Sequence, residues 1–249
     1  MPRFMLTDEL WSKLKPIMLY VGIYNKKELR LTTEGILYRL RVGCPWRDLP
    51  PEFGNWNSIF KCFSSWSTHH KLLKIFEFLS KDPDLEWEFI DGSIIKAHQH
   101  SCGAAHNQES AIGKSVAGNT SKIHLAVDSF GLPIKFEISE GQVHDCKMAP
   151  EFIANLPPSD FIIADKGYDS ESLRKQIKKQ RSIPIIPRKG HSKVGNEDVD
   201  WCLYRYRHLV ENAFARLKHF RSIATRYDKL KRNYAGMLSL ACAYIWLPL

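Results

Sequence analysis

The sequence predicts an α/β chain, a mixed-sheet domain preceded by a small all-helical one. Three observations carry this. Apolar residues recur at helical spacing through residues 1–81. After the "KDPD" junction at 81–84 the pattern changes to strand-like alternation. From there the segments run strand, strand, strand, helix, strand, helix, strand, helix, the order of a mixed sheet with helical cover.

In the first part, "LTDELWSKLKPIM" opens on Thr7 and carries Leu and Trp at helical spacing. "TTEGILYRLRVG" places Ile36, Leu37 and Leu40 on one face and stops at Gly43. "CPWRDLPPEFGNW" is a Pro/Gly-rich turn, and "NSIFKCFSSW" and "HKLLKIFEFLS" follow as two short helices. Short helices around a tight turn, with Arg39, Arg41, Trp46, Arg47, Asn57 and Lys61 as candidate DNA contacts, resemble a helix-turn-helix module. Trp56, Phe60, Phe63 and Trp66 read as core.

In the second part, "LEWEFIDGSIIKA" alternates as a strand. The Gly/Ala/Ser-rich run after it reads as a flexible loop over 99–120. "SKIHLAVDSFGLPIKFEISEG" reads as a hairpin, with Asp128 serving the turn. "DCKMAPEFIANL" is a helix, "DFIIADKGYDS" a buried strand ending in a polar loop, "SESLRKQIKKQ" a helix, and "IPIIPRK" a short strand. "DVDWCLYRYRHLVENAFARLKHF" reads as one long helix, and "YAGMLSLACAYIW" as a buried helix too short to span a bilayer. The expected division is a helical DNA-binding domain over 1–82 and a catalytic domain over 83–249.

The chain has 249 residues, 44% hydrophobic and 25% charged, with a net charge of +9. Residues 201–232 hold nine Lys/Arg against Glu211 and Asp228, so the basic charge is concentrated there. That concentration points to a polyanion, nucleic acid before membrane. Six scattered cysteines without Cys-x-x-Cys pairing argue against a disulfide scaffold and fit a reducing cytoplasm. "HQHSCGAAH" brings His98, His100, Cys102 and His106 near one another in sequence, but reads as a polar loop rather than a zinc cluster.

The chemistry is carried by carboxylates. Two apolar strands run straight into acids, "EFIDG" into Asp91 and "FIIADKGYD" into Asp165. Acids in that position stand where open α/β sheets bind ligands. The third acid lies alone in the basic stretch "YRYRHLVENAFARLK". With Tyr204 at 0° on a helical wheel, Arg207, Glu211 and Lys218 fall at about −60°, −20° and −40°. This narrow polar stripe borders Leu203, Val210, Phe214 and Leu217. An Arg207–Glu211 pair would be worth only a few tenths of a kcal/mol. Three carboxylates could instead hold two Mg²⁺ (or Mn²⁺) ions for phosphodiester chemistry, with neighbouring bases on the DNA backbone.

The spacing Tyr204, Arg207, Glu211, Lys218, together with "FIDGS" and "IIADKGYDS", resembles the Y-R-E-K signature and acidic motifs of the "insertion sequence five" family of DDE transposases. "GILYRLRVGCPWRDLPPEFGNW" and "GNTSKIHLAVDSFGLPIKFEISEGQVHD" continue the likeness over nearly the whole chain. The resemblance implies a ribonuclease-H-like catalytic domain with Asp91, Asp165 and Glu211 as its metal-binding triad. It also implies that Tyr204, Arg207 and Lys218 belong to the functional helix, with Lys218 on transposon-end DNA. Lys166, Tyr168 and His144 are further candidate DNA contacts. The expected partners are double-stranded DNA, as terminal inverted repeats and target, and further copies of the chain in a dimer or larger synaptic assembly, with no membrane. The competing functions are a domesticated DDE nuclease, a non-cutting DNA-binding repressor and a hydrolase of small phosphoesters.

Overall fold

The structure, a computed structural model, describes residues 2–102, 110–190 and 192–249. The chain forms two compact units. One comprises Met1–Lys81, Ile95–Ala111 and Arg216–Leu249, the other Asp82–Ile94 and Ile112–Ala215.

The first unit is helical. α1 (Asp8–Tyr20) starts where Thr7 accepts the Leu10 N–H, and α2 (Leu29–Val42) ends at Gly43, whose φ of 74° makes the left-handed cap. Two single-turn 3₁₀ segments, Trp46–Asp48 and Pro51–Phe53, lead to α3 (Trp56–Thr68), capped by Asn55, and to α4 (Lys71–Leu79). Phe63 and Trp66 are buried, as their spacing predicts.

The sequence boundary at 82/83 is not where the compact units divide. The C-terminal helix α10 (Lys231–Trp246) packs on α3 and α4, so residues 216–249 cluster with the N-terminal helices. The physical reason lies in its composition: Met237, Leu238, Ala241, Cys242 and Ala243 are all buried, and a helix apolar on so many sides needs cover from several neighbours. Among the described residues no helix is long and apolar enough to cross a membrane.

The second unit is built on a sheet. Its strands are β1 (Trp87–Ala97), β2 (Gly113–Ser115), β3 (Gly118–Val127), β4 (Pro133–Glu140), β5 (Phe161–Ala164) and β6 (Ile183–Ile185). They lie in the order β2-β3-β1-β5-β6, with β4 also paired to β3. β5 is parallel to β1 and to β6, while β3 is antiparallel to β2 and β4. Helices α5 (Asp145–Ala154) and α6 (Glu171–Lys179) cover one face, where Ile90, Ala126, Phe152, Ile153, Ala164 and Leu173 form the core. In the β3–β4 turn, Asp128 Oδ1 accepts the N–H groups of Phe130 (3.0 Å) and Leu132 (2.8 Å). The remaining elements are α7 (Trp201–Tyr204), α8 (His208–Lys218), α9 (Arg221–Ala224) and the two-residue β7 (Thr225–Arg226), which pairs with Lys96 and Ala97 of β1.

Three expectations change. The segment 99–120 is not simply a loop: Gly113–Ser115 pairs antiparallel with Gly118–Thr120. An edge strand needs only backbone partners, so its polar side chains hid it. β1 does not end at Asp91, because it continues to Ala97, where β7 pairs with it. The long helix over 201–218 is tightened to 3₁₀ at Arg205–Arg207, where His208 Nδ1 lies 2.9 Å from the Arg205 carbonyl.

Candidate active site

The acids sit where strand pairing ends. β1 and β5 pair in parallel from Trp87↔Phe161 to Ile90↔Ala164, and the next residue on each strand is an acid, Asp91 and Asp165. Each carboxylate is oriented by a glycine amide: Gly92 N–H donates to Asp91 Oδ1 and Gly167 N–H to Asp165 Oδ1, both at 2.8 Å. A Cβ at residue 167 would stand 2.8 Å from that same Asp165 oxygen, so the turn admits glycine for reasons of space.

Glu211 comes from α8, and Arg207 joins it to the strands. The Arg207 guanidinium donates to Asp91 Oδ2 at 3.1 Å through Nη1 and to Glu211 Oε1 through Nη2. The Asp91 and Arg207 side chains are 21% and 23% exposed, Glu211 51%, so the bridge is only partly screened by water. Burial pushes the Asp91 carboxyl above its usual range, the Gly92 amide and Arg207 pull it back, and the negative charges of Asp165 and Asp145 push it further up. Burial works against the Arg207 charge, yet Asp91 and Glu211 hold it and raise its pKa. Burial raises the Tyr204 hydroxyl pKa, and the Arg207 charge beside it pulls it back.

Another acid stands beside these. Asp145, the first residue of α5, lies against the backbone of Gly92. Lys122 Nζ is 3.2 Å from Asp145 Oδ1, close enough for charge attraction, and His124 Nδ1 is 3.5 Å from it, neither aligned as a hydrogen bond. Lys122 Nζ donates to the Val143 carbonyl at 2.9 Å, and His124 Nε2 lies 2.8 Å from Ser139 Oγ. Burial lowers the His124 pKa to about 4, so its ring is neutral at pH 7. Among the described residues no three His, Cys, Asp or Glu stand close enough to hold one metal ion as placed.

Two acids thus stand where the β1–β5 pairing stops, and Arg207 bridges one of them to a helix acid. The family described as "Transposase DDE domain" matches residues 89–246, and one described as "Putative transposase of IS4/5 family" matches residues 6–76. The chain belongs to the DDE transposase family. It is a mixed α/β, ribonuclease-H-like transposase of the IS4/5 type, and a divalent metal and DNA follow from that membership. The chain is 35% identical over 132 residues to "Putative transposase for insertion sequence element IS6501" of Brucella ovis, which spans 51% of this chain and 98% of that protein. It is 31% identical over 111 residues to "Transposase for insertion sequence element IS1106" of Neisseria meningitidis serogroup B, 43% of this chain and 38% of that one.

Several expected DNA contacts of this transposase are not at the surface. Tyr168 is 1% exposed, and its hydroxyl has no partner. Burial first, and then the negative charges of Asp145, Asp91 and Asp165, push its pKa up, so it is a core group and not part of a solvated loop. Arg39 is 5% exposed, pairs with Asp228 at 3.3 Å, and stacks 4.5 Å from the Trp46 ring. Trp46 is in turn packed on Phe60 and Phe63. Arg39 and Trp46 are therefore packing residues. Arg41 donates to the Arg3 carbonyl at 3.1 Å and stays half-buried. Arg47, Asn57, Lys61, His144, Lys166 and Lys218 are exposed. His98 stacks on Tyr227 and meets His100 edge-on, and His106 lies outside the described residues.

In the sequence, His144-Asp145 reads either as approaching the active site or as capping the helix that starts there, and His144 makes no side-chain cap bond. Lys122 and His124 carry no such signal. Only the adjacency of β3 to β1 brings the three to Gly92.

Proposed function

We propose that the chain binds the terminal inverted repeats of an insertion sequence, cuts phosphodiester bonds at its ends, and joins the freed 3′-hydroxyls to target DNA. One observation carries the reading: Arg207 ties the strand acid Asp91 to the helix acid Glu211 in a transposase of the DDE family.

Asp91, Asp165 and Glu211 offer only carboxylate oxygens, the donors that suit Mg²⁺ or Mn²⁺. Two of them already share a cation, the Arg207 guanidinium. Their chemistry fits two divalent ions held by the three acids. When bound, such ions activate the attacking oxygen and stabilise the leaving one. For the acids to gather, Arg207 must release its bridge, and it then faces a DNA phosphate, the other anion that a guanidinium fork matches. The Gly92 and Gly167 amides hold Asp91 and Asp165 oriented meanwhile. In cleavage, water attacks the scissile phosphorus and the 3′-oxygen leaves. In joining, that 3′-hydroxyl attacks a target phosphorus and the target's own 3′-oxygen leaves. No covalent bond between protein and DNA is formed. Lys166, Lys218, Arg47 and Lys61 are exposed, which supports a role for them in holding the DNA backbone. Bringing two ends together calls for a homodimer or larger synaptic assembly, acting on DNA in the cytoplasm.

The test is incubation of the chain with a labelled terminal-repeat duplex, a plasmid target and Mg²⁺. The reading expects 3′-hydroxyl nicks at the repeat end and label joined to plasmid, both abolished by EDTA. Cutting without joining identifies a host-type DDE nuclease, and binding without either a repressor.

A further inference from the structure

We propose that Asp145 is a fourth carboxylate of the divalent-cation site, seated against Gly92 and positioned by Lys122 and His124. This rests on the reading of Asp91, Asp165 and Glu211 as cation ligands.

Four observations support it. A Cβ at residue 92 would meet Asp145 Oδ1 at 2.6 Å, so glycine beside Asp91 is what lets the carboxylate approach. That oxygen is shielded from water and, among the described residues, accepts no hydrogen bond, although the Lys122 ammonium stands 3.2 Å away. The Lys122 ammonium and the neutral His124 ring flank it, and both have other partners that fix them, the Val143 carbonyl and Ser139 Oγ. Such anchored neighbours orient a ligand without saturating it. Finally, the Tyr168 hydroxyl is buried without a partner and feels Asp145, Asp91 and Asp165 together. The contact at Gly92, the residue after Asp91, sets Asp145 beside that aspartate. An unpaired buried hydroxyl beneath them points to a bound ion with its water as the missing partner.

The acids then outnumber the bases that face them. Asp91, Asp145, Asp165 and Glu211 are met by Lys122 and Arg207, which leaves an excess negative charge for a divalent cation.

The test is Mn²⁺ binding to the full chain without DNA, followed by electron paramagnetic resonance. Asp145→Asn should weaken binding by about tenfold or more while its thermal midpoint in EDTA stays that of the unmodified chain. Unchanged Mn²⁺ binding by Asp145→Asn overturns the proposal if Asp91→Asn and Asp165→Asn lose binding. If those two also bind as before, the underlying acid-site reading fails instead. Should Asp145→Asn not fold, Asp145→Ser decides by the same comparison: Mn²⁺ binding weaker by about tenfold or more supports the proposal, and unchanged binding overturns it.

Discussion

Two arginine–carboxylate centres, one in each unit, use the same chemistry to opposite ends. Arg39 and Asp228 are both 6% exposed as side chains and lie 3.3 Å apart. Arg39 Nε and Nη1 and Asp228 Oδ2 have no hydrogen-bond partners. Arg207, with Asp91 and Glu211, is more open to water and bridges two acids from different elements. Burial makes the first pair a fixed part of the fold, because separating it would strand a charge away from water. Partial exposure leaves the second free to exchange partners at little cost. An ion pair is thus structural or functional according to what surrounds it, which residue identity alone does not reveal.

The comparison can be broken at the buried pair first. Arg39→Met alone should destabilise the chain by about 3–5 kcal/mol, since Asp228 is left unpaired. Urea unfolding measures this, and Arg39→Met with Asp228→Leu should recover most of the loss. A single variant as stable as the unmodified chain would put Arg39 on the functional side of the comparison.

Glu88 sharpens it next, as an acid on the same strand as Asp91 but with no base. It is fully buried, Ser159 Oγ donates to its Oε2 at 3.0 Å, and burial raises its pKa from 4.5 to about 7. A carboxyl whose pKa is raised by folding binds its proton more tightly in the folded state. Its contribution to stability is therefore fully present below pH 4.5 and lost as the pH rises through about 7. At pH 9 the loss is roughly 3 kcal/mol. Glu88→Gln should flatten this part of the stability–pH profile in thermal melts and leave the chain more stable than unmodified protein at pH 9.

Smaller effects belong to the exchangeable centre. Arg207→Gln removes the cation that competes at Asp91 and Glu211, so Mn²⁺ affinity at pH 8 should rise about fivefold, the scale of a partly exposed ion pair. Weaker Mn²⁺ binding by this variant would make Arg207 a partner of the metal and not its competitor. The smallest change is expected at exposed Lys218. Lys218→Ala should lower the slope of log affinity against log salt for terminal-repeat DNA by about one, as read by fluorescence anisotropy. An unaltered slope removes Lys218 from the DNA interface.

The acidic positions were legible in the sequence for a physical reason. Apolar runs such as "EFI" and "FIIA" must be buried, so the acids that follow them mark where pairing of β1 with β5 stops. Glu211 was legible because helical period puts it beside a buried stripe, and Val210, Phe214 and Leu217 are indeed buried. What could not be read depends on contacts between distant segments. Asp228 lies 189 residues from Arg39, so the arginine looked like a surface base. Tyr168 looked solvated because its loop is polar, although the core formed by α5 and α6 encloses its ring. Asp145 stayed open between site and helix cap, because nothing local shows that β3 runs beside β1.

The central claim is that Asp91, Asp165 and Glu211 form one catalytic centre. Cleavage of a labelled terminal-repeat duplex in Mg²⁺ by Asp91→Ala, Asp165→Ala and Glu211→Ala tests it most directly. Each variant should fold, bind the duplex, and lose cleavage by about 10³-fold or more, the loss of several kcal/mol of transition-state stabilisation. Undiminished cutting by any one of the three would contradict the assignment of that acid and break the centre apart.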